Sequence, residues 1–145
     1  MSVDPASLGP KAQRVLEFEQ KLREITASIT SAEADPATWA PLGEYLNLGT
    51  FRRTGVWLET MTFQQYAGFL TAWASDVDFD TVLLRVGETS DTVYLEVEEH
   101  HMRPEGEEVV RSLSIYHFDP AGKIDTLDVY LQSPATAGGM PDGLA

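Results

Sequence analysis

Residues 93–132 read VYLEVEEHHMRPEGEEVVRSLSIYHFDPAGKIDTLDVYLQ, and this stretch decides the fold. Apolar and polar residues alternate along it with the period of a half-buried strand, and two clusters of turn-forming residues interrupt the alternation. Pro104-Glu105-Gly106-Glu107 is the first cluster. The second, Asp119-Pro120-Ala121-Gly122, has proline at the second position of a type I turn and glycine closing it. Strands are therefore expected at Thr92 to Met102, Glu108 to Phe118 and Ile124 to Gln132. A fourth, Phe79 to Val86, precedes them across Gly87-Glu88-Thr89-Ser90-Asp91, so the second half of the chain is an antiparallel meander.

Pairing decides which residues share a face. With Glu105-Gly106 at the centre of a two-residue turn, Arg103 pairs with Glu108, His101 with Val110, Glu99 with Ser112, Val97 with Ser114, Leu95 with Tyr116 and Val93 with Phe118. Val93, Leu95, Val97, Val110 and Phe118, interrupted by Glu99, His101, Ser112, Ser114 and Tyr116, form the face expected to meet helices, apolar at one end and polar toward Glu99 and His101, as a pocket wall would be. Tyr94, Glu96, Glu98, His100, Arg111, Leu113, Ile115 and His117 form the other face. Asp128, Tyr130 and Gln132 join them there, on a surface suited to water or to a partner subunit.

Upstream of the meander the pattern is helical. Pro10 opens a stripe of Val15, Phe18, Leu22, Ile25 and Ile29 at alternating spacings of three and four. Asp35-Pro36 is a cap followed by a first-turn proline, and Pro41 argues for two short turns with Trp39, Leu42, Tyr45 and Leu46 facing inward. Thr50 to Thr60 suits a short, irregular pair of strands broken at Thr54-Gly55. Thr62-Phe63-Gln64-Gln65 fits a capping box, followed by an aromatic amphipathic helix that ends near Ser75. Helices first and a meander afterwards make an α+β domain with helices on one face of a curved antiparallel sheet. One domain is expected over residues 10–132, with a loose leader at 1–9 and a Pro, Gly and Ala-rich tail at 133–145.

Charge and composition exclude several partners. The 145 residues carry a net charge of −13, which opposes nucleic acid and anionic membranes. Eight carboxylates between Glu88 and Glu108, set against Arg103, concentrate that repulsion at one edge. The chain has no cysteine, no signal-peptide layout at its start and no apolar run of membrane-spanning length, so a cytoplasmic protein without thiol chemistry is expected. No phosphate loop, dinucleotide fingerprint or metal-ligand spacing occurs, so neither cofactor nor metal is expected.

With its helix pair, its Thr62-capped aromatic helix and above all SIYHFDPAGKIDTLDVYLQ, the chain resembles the cone-shaped superfamily of nuclear transport factor 2, ketosteroid isomerase and the SnoaL-like polyketide cyclases. The resemblance covers Pro10 to Gln132. It implies an NTF2-like fold with a mostly apolar pocket for a small hydrophobic molecule, often in a homodimer built through the outer sheet face. Carried across through Gly122-Lys123, the hydrogen-bonding acid of the ketosteroid isomerases falls at Ser114 and their base near Arg53. The epoxide hydrolase aspartate falls at Val129. None of these residue types fits, so those two chemistries are disfavoured.

The candidate chemistry lies elsewhere. Glu99 and His101 are two apart on one strand, about 6 to 7 Å between Cα atoms, where Glu99 could orient His101 as a general acid or base. His100 points the opposite way. Glu59, if buried among Trp57, Tyr66 and Trp73, is a second candidate base. Tyr116 and Ser114 could donate to a ligand carbonyl, Arg53 could bind an oxyanion, and Tyr45 with Trp57, Tyr66 and Trp73 could line an aromatic cavity. The expected function is cofactor-independent acid-base chemistry (isomerisation, cyclisation or dehydration) on a small hydrophobic carbonyl compound such as a polyketide or steroid. The alternative is a domain that binds such a molecule without transforming it.

Overall fold

A computed structural model describes residues 7–29, 35–74 and 79–134. Most of the expected leader and tail lies outside the described residues. Helix α1 (Pro10–Ser28) is followed by a 3-10 helix (Pro36–Glu44), strands β1 (Arg52–Thr54) and β2 (Thr60–Thr62), helix α2 (Phe63–Ala74), and strands β3 (Phe79–Glu88), β4 (Thr92–Arg103), β5 (Gly106–Phe118) and β6 (Ile124–Gln132).

Each helix start has a local cause. Pro10 sits in the first turn of α1, but its N-cap Gly9 offers no side chain. Glu88, at the far end of β3, supplies the missing acceptor: its Oε1 accepts from Ala12 N at 2.7 Å and places a negative charge at the positive end of the helix. A Cβ on Gly9 would lie 2.6 Å from that oxygen, so glycine leaves room for the cap. In α2 the capping box forms in both directions, Gln65 N to Thr62 Oγ1 at 3.3 Å and Thr62 N to Gln65 Oε1 at 2.9 Å.

Pro36–Glu44 is one continuous 3-10 helix that contains Pro41, where two short turns were expected. Its three-residue period stacks Trp39, Leu42 and Tyr45 on one buried side. Trp39 is wholly buried, and its indole N–H donates to Thr71 Oγ1 at 2.8 Å while Thr71 donates to Ala67 O at 2.9 Å. A tryptophan in a core needs such a partner.

The six strands lie in the order β2-β1-β6-β5-β4-β3. All neighbours are antiparallel except β1 and β6, which run parallel, so the expectation of a wholly antiparallel sheet is corrected at that pair. β1 reaches the sheet from the helical half rather than through a hairpin. The β4–β5 register also differs from expectation. Pro104-Glu105 form the turn and Arg103 pairs with Gly106, whose φ of 131° suits glycine. Every cross-strand pair therefore shifts by two residues, which is one full side-chain period, so each residue keeps its face. Val93, Leu95, Val110, Ser112, Tyr116 and Phe118 are buried on the helix side.

Candidate functional site

Polar groups converge in the interior, between α1 and the concave sheet face. Ala12, Val15, Glu19, Leu22 and Thr26 occupy one helical stripe on α1 at spacings of three and four. Glu19 is thereby aimed at the sheet, where its Oε1 accepts a hydrogen bond from the Tyr116 phenol. The residue keeps a little accessible surface, yet its carboxyl is surrounded closely enough that burial pushes its pKa up. Tyr116 and Arg23 oppose that shift, and Glu99 adds to it through like charge.

The phenols respond in the same sense. Tyr116 is 1% exposed, and burial together with the Glu19 charge raises its pKa well above the ordinary tyrosine value. It stays protonated and able to donate. Ser114, two residues earlier on the same face of β5, acts on that pKa in the opposite sense. Tyr66, on α2, is raised by burial and then by Glu19, while Arg53 pulls the other way. Phe18 packs edge-on against both Tyr116 and Tyr45, at centroid distances of 6.1 and 6.3 Å.

Glu99 and His101 lie toward the opposite end of β4 on the same face. His101 Nε2 is 3.0 Å from Glu99 Oε2, and the side chains are only 16% and 24% exposed. They form a half-buried dyad. His100 points to the convex face, where it bonds Glu98 and Glu107.

Other candidates are placed apart from this cluster. Glu59 is not buried among aromatics: its Oε2 accepts from Trp57 N at 2.9 Å, its Oε1 lies 3.9 Å from Arg53 Nη1, and Trp57 is 85% exposed. The local bonds Gly55 N to Glu59 O and Leu58 N to Gly55 O fold this segment into a protruding tip. Arg53 bridges the two settings, with its guanidinium 5.4 Å from the Tyr66 ring centre and 5.5 Å from that of Phe69. Trp73 is half-buried against the core. Tyr45 lies under the Arg14 guanidinium at 5.0 Å and borders a groove of about 430 Å³ along the outer side of α1. That groove does not include the interior cluster.

Glu19 is the residue that hydrophobic periodicity misses. The expected stripe through Phe18 and Ile25 counts only apolar side chains, and Glu19 sits within the buried arc they define. The available signal was its position four residues after Val15 and three before Leu22. Chemically, the cluster offers a carboxyl able to take or release a proton, a phenol that remains a donor, and a second carboxylate with its histidine toward solvent. Among the described residues no group of three or more His, Asp or Glu side chains is arranged to hold a metal ion.

No protein-family model matches this chain, and no curated protein matches it in sequence. Solved structures do resemble it. An NTF2-like protein of unknown function from Cytophaga hutchinsonii is 18% identical with a TM-score of 0.57, over 88% of this chain and 94% of that one. A candidate SnoaL-like polyketide cyclase from Jannaschia sp. CCS1 is 13% identical with a TM-score of 0.60, over 90% and 92%. An LEH-like epoxide hydrolase from M. tuberculosis is 13% identical with a TM-score of 0.54, over 85% and 86%. At these identities the likeness is one of fold, and the fold is the cone-shaped α+β NTF2-like fold.

Proposed function

We propose that the chain is a cofactor-independent acid-base enzyme acting on a small, largely apolar carbonyl compound, with Glu19 as the group that moves the proton and Tyr116 as its hydrogen-bonding partner. The observation that carries this reading is the buried carboxyl of Glu19 held by the Tyr116 phenol. A carboxyl taken out of water is costly, and a raised pKa brings it closer to the range in which it can both accept and return a proton.

The chemistry follows from the two groups. Ionised Glu19 removes a proton from the carbon next to the ligand carbonyl, leaving an enolate and a neutral carboxylic acid. Glu19 no longer needs the phenol hydrogen, so Tyr116 can turn it toward the developing oxyanion. Return of the proton from Glu19 to the same or another carbon completes exchange or isomerisation. Glu99 and His101, nearer solvent, suit the orientation of a ligand or the exchange of its proton with water.

The same reading takes the protein as cytoplasmic and as a homodimer through the convex sheet face, where Tyr94 and Tyr130 are 40% and 59% exposed beside Leu113 and Ile115. Among the described residues no helix is long and apolar enough to cross a membrane.

Hydrogen–deuterium exchange at the carbon next to the carbonyl, followed by NMR over a panel of cyclic ketones, tests the proposal. Exchange well above buffer that is lost in Glu19→Gln supports it. Ketone binding with exchange at the buffer rate contradicts it and leaves a binding protein in which Glu19 and Tyr116 only satisfy one another.

A further inference from the structure

We infer that Thr26 is a distal anchor of the same site, selecting elongated ketones that carry a second oxygen at the end remote from the reacting carbonyl; this rests on the acid-base reading above. Its hydroxyl oxygen is buried, yet finds no hydrogen-bond partner among the described residues. Buried hydroxyls are rarely left so, and threonines in helices commonly donate to the carbonyl four residues back. Thr71 in α2 shows the satisfied arrangement within this same chain, since it donates to Ala67 O at 2.9 Å and accepts from Trp39.

The position of Thr26 gives its hydroxyl a meaning. It follows Glu19 by seven residues, which is about 10 Å of helix axis and within about 20° of the same direction. Leu22 lies between them on that stripe. The helical wall therefore runs from carboxyl to hydrocarbon to hydroxyl. The facing sheet repeats the sequence, from Tyr116 with Val93, through Leu95 and Val97, to the Glu99–His101 dyad.

Both walls run in the same sense. The start of α1 is tied to Glu88, which pairs with Val93, and farther along the helix Glu19 feels the like charge of Glu99, so α1 runs toward the Glu99 end of β4. Thr26 therefore lies toward the end where Glu99 and His101 are partly exposed. A ligand whose carbonyl meets Glu19 and Tyr116 would be apolar along its middle and would need an acceptor about 10 Å away to satisfy Thr26.

Two probes separate the possibilities: the para,para′-diketone of bicyclohexyl, which carries an oxygen at each end, and the corresponding monoketone. Calorimetric titration of the wild-type protein should give roughly tenfold tighter binding of the diketone, the value of one well-made hydrogen bond. Thr26→Val should bring the diketone down to the monoketone's affinity, and Thr26→Ser, which keeps the hydroxyl, should restore the preference. Equal affinities in the wild type, or a preference that survives Thr26→Val, would overturn the anchor. Failure of both compounds to bind would overturn the anchor and the reading beneath it. A preference that depends on Thr26, together with ketone exchange indifferent to Glu19→Gln, would sustain the anchor and remove the acid-base reading alone.

Discussion

The two faces of the sheet carry the same kinds of ionisable residue in opposite electrostatic settings. On the convex face His100 lies between Glu98 and Glu107, and His117 between Asp91 and Asp125. Arg85 grips Glu96 with two hydrogen bonds of 3.0 and 2.7 Å, and Arg111 bonds Glu98. Hydrogen bonds from Arg111 and His100 hold the Glu98 pKa below the ordinary value, and one from Thr92 does the same for Asp91. On the concave side burial pushes the Glu19 pKa upward despite its bond to Tyr116. Partners in water favour the charged form of Glu98 and Asp91, whereas burial favours the neutral form of Glu19. Acid-base chemistry needs the second condition.

The largest effect that would sharpen this contrast is on catalysis. Glu19→Gln and Tyr116→Phe are each expected to slow ketone exchange by about 10²- to 10⁴-fold, whereas Arg85→Gln, on the convex face, should leave the rate unchanged. An equal loss from Arg85→Gln, measured by the same NMR exchange assay, would break the distinction between the faces.

Stability should divide the faces next. Tyr116→Phe leaves the Glu19 carboxyl without its donor and should cost about 1–3 kcal/mol in urea unfolding. The pH dependence has a definite sign. A carboxyl whose folded pKa is raised contributes stability fully below its unfolded value, near 4.5, and that contribution is lost as pH rises through the folded value. Glu19→Gln, which cannot ionise, should therefore gain stability relative to wild type as the buffer moves from acidic to mildly alkaline. A relative loss over that range would mean that Glu19 is stabilised as a carboxylate.

The smallest effect belongs to the convex histidines. Hydrogen bonds to Glu107 and Glu98 raise the His100 pKa, and one to Asp125 raises that of His117. Both should titrate above 6.5 by NMR. Their contributions to stability are present below that value and fade as pH rises through the folded pKa. Both groups are substantially exposed, so added salt should shrink the shifts. Insensitivity to salt would place them in a less hydrated setting, closer to that of Glu19.

Much of the fold was legible because its signals are local. The Thr62–Gln65 box, the Asp119–Gly122 turn and the alternation through β4, β5 and β6 each depend on neighbouring residues. The face assignment withstood a register error because the error was two residues, a whole period. The error itself came from centring the turn on Glu105-Gly106 when Pro104, with its fixed φ, favours the earlier position.

The site was less legible because it depends on tertiary position. Glu19 looks like an ordinary helix-surface glutamate until Tyr116, 97 residues later, closes over it. Glu59 qualifies as a base only if it is buried among Trp57, Tyr66 and Trp73, a condition set by tertiary position, and the Gly55–Glu59 hydrogen bond turns that segment outward. Glu99 and His101 could be read as face mates from strand period alone, and their contact lies within one strand.

The central claim, a carboxyl held inside the cone with its pKa raised, is tested most directly by titrating the side-chain carboxyl carbon of Glu19 by carbon-13 NMR, with Glu19→Gln used for assignment. The account predicts a midpoint above the ordinary 4.5, rising further in Tyr116→Phe because the phenol hydrogen bond opposes the shift. A midpoint at or below 4.5 in the wild-type protein would contradict it.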